Sequence, residues 1–391
     1  MLPVTPSGGR DPLADLLPPE LIPLFDDRFV GSCTLFEEYV HRLALQVVHG
    51  LGIDSAAHQP GTPAEIAARA GLDPDRAPVT VGWLLATLAL GGHASRDADG
   101  RYSIPAALPD LDPRETAEAQ KRLDPSSLAS YRMADLAAEM YPPVLRGAVS
   151  GEEALFAPDR IGAWFEYFSS DNPIYAISNR VGAFAAGSAL RGDGGPVLEL
   201  GGGLGSGTTA LLEHLTETGR LSAVRSYQFT EVAPSFLRRG QRRLAGRFPG
   251  VPVSFGRLDM DRPFGEAGIE AGAFGLVYGV NTLHVARDLE FTLAEVRRAL
   301  APGGALVLSE CVRPFPGRPV YIEFLFNLLE AFRAPRLVEP WRPNGGFLTP
   351  EQWTAALEAC GFRDVTVYPD IARIREVRPA CIVAAITATS A

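Results

Sequence analysis

From Val197 to Gly205 the chain reads Val-Leu-Glu-Leu-Gly-Gly-Gly-Leu-Gly. An apolar run that ends in glycines and opens a helix offers unpaired backbone N–H groups, and the absent side chains let a ligand approach closely. The dinucleotide form of such a loop, G-x-G-x-x-G begun at Gly201, needs glycine at position 206 and meets Ser206. A phosphate-cradling Walker loop needs a lysine, and the only lysine, Lys121, lies far from these glycines. What fits is E-x-G-x-G-x-G, carried by Glu199, Gly201, Gly203 and Gly205. Two more acids close the next apolar runs. Glu231 follows Tyr227-Gln228-Phe229-Thr230, and Asp259 stands in Leu258-Asp259-Met260-Asp261.

This loop resembles those that bind S-adenosylmethionine. The resemblance sets Glu199 near the cationic amino group of the methionine moiety. Glu231 would accept from the ribose hydroxyls, as the acid at that strand end does in nucleotide-binding sheets generally. Asp259 would accept from the adenine amino group while Met260 packs on the ring.

Three stretches carry a more specific likeness: residues 227–236, Asn281-Thr282-Leu283-His284-Val285-Ala286-Arg287-Asp288-Leu289, and residues 293–310. They are similar to the C-methyltransferase domains embedded in polyketide synthases, from about Tyr175 to the end of the chain. The similarity implies a catalytic dyad at His284 and Glu310, with Asn281 of the same motif at the cofactor. The chemistry stands on its own terms too. Carbon methylation needs an enolate, a base must remove the α-proton, and a carboxylate can fix the imidazole tautomer. The acceptor is then an activated carbonyl such as a polyketide-like β-keto thioester. Aromatic-rich stretches would line an apolar pocket for it, with Tyr167, Tyr175 and Phe324 as contacts. Tyr175 is the expected polar one. Small-molecule O-methyltransferases carry a Leu-His element at this place, followed by an acid and an aromatic. Here Val285-Ala286 follow, and O-methylation of a small aromatic or hydroxylated natural product is the alternative.

Strand runs at 197–200, 227–230, 253–255, 274–280, 305–309, 365–368 and 381–387 are expected to position these residues. Helical segments separate the first five and precede the sixth, a pattern of a doubly wound, Rossmann-like α/β sheet. A short loop between the last two predicts an antiparallel hairpin. Ala301-Pro302-Gly303-Gly304 reads as a sharp turn before the fifth strand, and Thr349-Pro350 with Gln352 as a capped helix start. Upstream, Thr62-Pro63-Ala64-Glu65 is a capping box, a second helix spans 78–90, and Asp99-Gly100 marks a hairpin. Together these predict a mostly helical, winged-helix-like part similar to that of O-methyltransferases. The division expected is a flexible segment over 1–20, a dimerisation and substrate-covering domain over 21–180, and the cofactor-binding catalytic domain over 181–391.

Composition narrows the partners. The net charge of −10 and a would-be recognition helix without arginine or lysine argue against nucleic acid. No run reaches a membrane span and no secretory leader is read, so a cytoplasmic protein is expected. Four scattered cysteines (Cys33, Cys311, Cys360, Cys381) and six dispersed histidines signal neither a disulfide framework nor a metal site. No carrier, ketosynthase or reductase segment is read along the chain, so it is expected to work free-standing on a free or carrier-bound acceptor, as a homodimer. The run Arg238, Arg239, Arg242, Arg243, Arg247 is the candidate dock for an acidic acyl carrier protein.

Overall fold

A computed structural model describes residues 12–190, 194–380 and 383–390. Its centre is a sheet of β1 (Gly195–Leu200), β2 (Val224–Thr230), β3 (Val253–Gly256), β4 (Phe274–Val280), β5 (Leu300–Cys311), β6 (Phe362–Tyr368) and β7 (Val383–Ser390). The seven strands lie in the order β3-β2-β1-β4-β5-β7-β6. The first five pair in parallel, and β7 runs antiparallel to both β5 and β6. Val197, Leu198, Leu276, Val277, Leu306 and Val307 are fully buried. Strands covered on both faces take such continuous apolar runs. The chain winds one way from β1 to β3 and the other way from β4, so a crevice opens at the carboxyl ends of β1 and β4.

Several expected elements differ in detail. No α-helix separates β3 from β4; a single 3-10 turn, Phe264–Ala267, does so. The turn at 301–304 is an excursion within β5, between the pairings Phe274↔Leu300 and Leu276↔Ala305. The last hairpin pairs as expected, but a helix, Ile371–Val377 capped by Asp370, fills its loop. Residues 381–382, including Cys381, and 1–11 fall outside the described residues. In the rest of the stretch expected to be flexible, Leu13 and Leu17 are buried among apolar partners.

The longer amino-terminal helices are α1 (Asp27–Gly50), α2 (Pro63–Arg69), α3 (Ala77–Leu90), α4 (Pro113–Leu123), α5 (Leu128–Leu145) and α6 (Ile161–Tyr167). The Thr62/Glu65 capping box starts α2, and Ser95–Arg96 pairs with Tyr102–Ser103 as the wing. Most of α3 is buried, chiefly against α2 and α1, and the segment after β5 (residues 312–349) also reaches it. Trp83 Nε1 donates to Glu323 Oε2 at 2.8 Å, and Thr80 Oγ1 to the Asn327 carbonyl at 3.0 Å. Glu323, fully buried, also accepts from Arg313 Nη2 at 2.6 Å.

Helix α7 (Pro173–Ala189) joins the two parts. It is continuous through the expected boundary at 180/181, and Ser309 Oγ of β5 donates to its Ser178 carbonyl at 2.6 Å. Then follow α8 (Ser206–Glu217), α9 (Pro234–Leu244), α10 (Leu289–Ala299) and α11 (Pro350–Ala359). The last has the Thr349/Gln352 capping box and buries Trp353 and Leu357.

Candidate active site

Gly201, Gly203 and Gly205 link β1 to α8 with φ of +61°, +56° and +75°, a path other residues resist. The loop is packed on one side: a Cβ on Gly201 would sit 2.1 Å from Thr282 Oγ1, and one on Gly202 2.3 Å from the Phe229 ring. Gly203 faces open space, with only the Gly201 carbonyl, at 3.9 Å, within reach of a Cβ.

Beneath this loop Glu199 is buried and accepts from Thr208 Oγ1. Burial pushes its carboxyl up to about 7, against the hydrogen bond from Thr208. Asn179 of α7 shares the corner. A Cβ on Gly207 would meet Glu199 Oε1 at 3.1 Å and Asn179 Oδ1 at 3.6 Å. Asn179 is 1% exposed, and neither Oδ1 nor Nδ2 has a partner among the described residues. A buried acid without a counter-cation beside an unpaired amide is costly unless a ligand completes both. An ammonium and a carboxylate on one carbon, as in methionine, fit that corner.

Glu231, at the end of β2, accepts from Gly203 N at 3.0 Å through Oε2 and from Ala233 N at 2.8 Å through Oε1. It thus lies against the open side of the loop, its carboxyl raised by burial. Asp259 follows β3, exposed and accepting from Asp261 N at 3.0 Å, with Met260 half-buried beside it. Asn281, expected at the cofactor, directly follows β4. Its backbone is left-handed at φ +47°, its N–H donates to the Ser309 carbonyl at 2.7 Å, and its Oδ1 accepts from Cys311 N at 2.8 Å. That oxygen is committed to holding the ends of β4 and β5 together.

His284 lies in the 3-10 turn Leu283–Val285 after β4, and Glu310 near the end of β5. Both are buried, and His284 Nδ1 is 2.6 Å from Glu310 Oε2. Glu310 Oε1 accepts from the N–H of Thr282 at 3.1 Å and of Leu283 at 2.9 Å. A carboxylate held by two amides accepts but does not donate, so Nδ1 carries a proton and Nε2 is the nitrogen left to face a substrate.

Aromatic rings continue from the dyad. His284 packs on Phe347 (4.5 Å between centroids) and Phe332 (5.9 Å), Phe332 on Phe326 (5.7 Å), and Phe326 on Tyr167 (6.3 Å). Tyr167 meets Tyr175 at 5.7 Å. Burial, then Glu199, Cys311, Glu310 and Glu231, hold the Tyr175 phenol well above its usual range, so it keeps its proton. Tyr175 therefore feels the charge of both the loop acid and the dyad carboxyl. Phe324 does not join this wall. It stacks on Tyr141 at 4.6 Å and is fully buried, because the turn Glu323–Phe326 sends residue 324 toward the helices and residue 326 toward the site. Asn179 and Phe347 were missed in sequence. The only signal for Asn179 was an amide on an otherwise apolar helix face.

The family described as "Methyltransferase domain" matches residues 198–306, from the glycine loop into β5. The chain therefore carries a methyltransferase domain. It resembles the C-methyltransferase domains of polyketide synthases. It is 32% identical over 284 residues to the non-reducing polyketide synthase dpmpA of Macrophomina phaseolina, a match over 66% of this chain but 12% of that protein. It is 30% identical over 225 residues to the methyltransferase calH of Penicillium decumbens, over 56% of each chain. The chain thus spans a small part of the first relative and about half of the second. Among solved structures, the CurJ carbon methyltransferase superposes with a TM-score of 0.77 at 24% identity, over 95% of this chain and 96% of that one. The CalH trans-methyltransferase does so with 0.61 at 21% identity, over 91% and 90%. These structural likenesses concern the fold. Among the described residues no cluster of three metal-binding side chains forms.

Proposed function

We propose that the enzyme methylates a carbon next to an activated carbonyl, with His284 as the base. The observation that carries this reading is the 2.6 Å bond from His284 Nδ1 to a fully buried Glu310, which leaves Nε2 free beside an aromatic wall. Glu199, Asn179, Glu231 and the Gly203 backbone would hold the donor, with Asp259 and Met260 at its adenine. S-adenosylmethionine supplies the methyl group as a sulfonium. His284 Nε2 takes the α-proton of the acceptor, and Glu310 stabilises the imidazolium that results. Tyr175, kept protonated, donates to the carbonyl oxygen as negative charge moves onto it. The wall of Tyr167, Phe326 and Phe332 excludes water and orients the acceptor. The wider similarity to polyketide synthases supports a β-keto thioester or a related natural-product intermediate as the acceptor class.

A carrier-bound acceptor would bring an acidic partner to the surface of α9. There Arg239, Arg242 and Arg243, with Phe165 and Leu204, line a cleft of about 620 Å3. Arg247, in the same run, is instead paired to Glu213 at 2.6 Å.

The test uses a methyl-labelled donor and a panel of β-keto thioesters and phenols. Label on the α-carbon supports the proposal, and label on oxygen replaces it with O-methylation. His284→Ala should lower kcat by roughly 10²–10⁴ and leave S-adenosylhomocysteine affinity intact. Glu310→Gln should slow turnover less, and the two losses should not add. Normal turnover with lost donor binding in His284→Ala would remove His284 as the base.

A further inference from the structure

The loop that carries His284 is held from outside by the segment after β5. Residues 338 and 342 of that segment exchange two backbone hydrogen bonds, of 3.0 and 2.7 Å, which fix Arg342 at the neck of a tight loop. Arg342 is fully buried. Its Nη2 donates to the His284 carbonyl at 2.7 Å and its Nη1 to the Ala286 carbonyl at 2.8 Å. Six residues earlier, Arg336 N donates to the Arg287 carbonyl at 2.6 Å, and its guanidinium bonds Asp288 and Glu290, each at 3.0 Å. From the far side, Asp261 accepts from Arg287 N at 2.8 Å. The turn Leu283–Val285 contains no proline or glycine to stiffen its path, so these contacts set where it lies.

Arg342 is an expensive way to hold two carbonyls. Its guanidinium meets backbone oxygens, while Asp261, Asp288 and Glu310 act on it only through space. Its Nε has no partner among the described residues. A buried cation with a donor unmet destabilises a fold relative to a well-packed apolar side chain. What the guanidinium gives in return is geometric: a rigid planar fork that holds two carbonyls two residues apart. A hydrocarbon side chain cannot do this, and a lysine ammonium lacks the fork.

We infer that Arg342 is a positioning residue, which acts through His284 by clamping the carbonyls on both sides of Val285 and so aiming Nε2 at the acceptor. The clamp is built into the same segment that supplies Phe332 and Phe347 to the imidazole ring, so the acceptor wall and the base are set by one piece of chain. This inference rests on His284 being the base.

The experiment places Arg342→Met and Arg342→Lys in the natural chain and in the His284→Ala variant, and reads kcat, acceptor KM and S-adenosylhomocysteine affinity. Arg342→Met should lower kcat by about 10²-fold, the scale of a misplacement near 1 Å, with donor affinity and acceptor KM little changed. Arg342→Lys, which keeps charge and volume, should fold if the methionine variant does not, and should recover part of the rate. In the His284→Ala background neither substitution should slow turnover further. Equal losses in both backgrounds, a loss of donor affinity that tracks the loss of kcat, or unchanged turnover in Arg342→Met would each overturn the positioning role while leaving the dyad in place. Full turnover in His284→Ala alone would remove the dyad, and the role of Arg342 with it.

Discussion

Glu199 shows how one buried carboxyl links stability to binding. Its folded value, about 7, lies above the ordinary 4.5. A raised value of this sign leaves stability highest below pH 4.5 and lowers it as pH rises through about 7. Glu231, raised by burial too, adds in the same direction. The ligand-free enzyme should therefore melt at a lower temperature at pH 8 than at pH 6. A cationic amino group would favour the ionised carboxylate, so donor affinity should rise as pH climbs toward 7 and then level off. Calorimetric titration with S-adenosylmethionine across that range checks this, and Glu199→Gln should flatten the curve. A flat curve in the natural protein would break the assignment of Glu199 to the amino group. Gly203→Val should abolish donor binding in a folded protein, because its side chain would project into the open side of the loop; unchanged affinity would remove that placement. The loop and its acids were legible because they share one short stretch and two strand ends. Arg342 and Asn179 were not, since Arg342 reaches the carbonyls it holds, and Asn179 the corner at Glu199 and Gly207, over a sequence separation that leaves no local pattern.

Among the elements, the helices and strands with strong local chemistry were readable: the capping boxes at Thr62 and Thr349, the hairpin turn at Asp99-Gly100, and the apolar runs of β1, β4 and β5. Less readable was the segment after β5. It has no sustained period, and its rings divide between two destinations, Phe324 toward Tyr141 and Phe332 toward His284. Only tertiary contacts decide such a split. The anchor of that segment is Glu323, which accepts from both Trp83 and Arg313. Glu323→Ala would strand the Arg313 guanidinium in a buried setting. We expect a loss of about 3–5 kcal/mol, read as a lower denaturant midpoint with the slope unchanged. A loss below about 1 kcal/mol would mean that the carbonyls of Phe347, Arg318 and Gly345, which Arg313 also holds, suffice for its charge.

At the scale of the whole molecule, a chain of net charge −10 keeps three arginines together on α9 beside the glycine loop. If a carrier protein docks there, Arg242→Glu should raise KM for a carrier-bound acceptor but not for a small thioester, and added salt should act the same way. Equal effects on both acceptors would mean that the cleft has no such role. The amino-terminal part is expected to build a homodimer. Val79 and Leu90 of α3, 53% and 51% exposed, offer apolar surface for it, and light scattering at micromolar concentration would reveal a monomer instead. Helix α7 has a further consequence, for the divisibility of the protein. Its buried face (Ile174, Ile177, Val181 and Ala185) covers the sheet, and Ser178 supplies the carbonyl that β5 holds. A fragment that begins at residue 181 would lose half of this cover and expose strands selected for a dry interior. Modules exchanged with a relative, or halves expressed separately, should fold only when the cut falls before Pro173, with the whole helix inherited by the sheet.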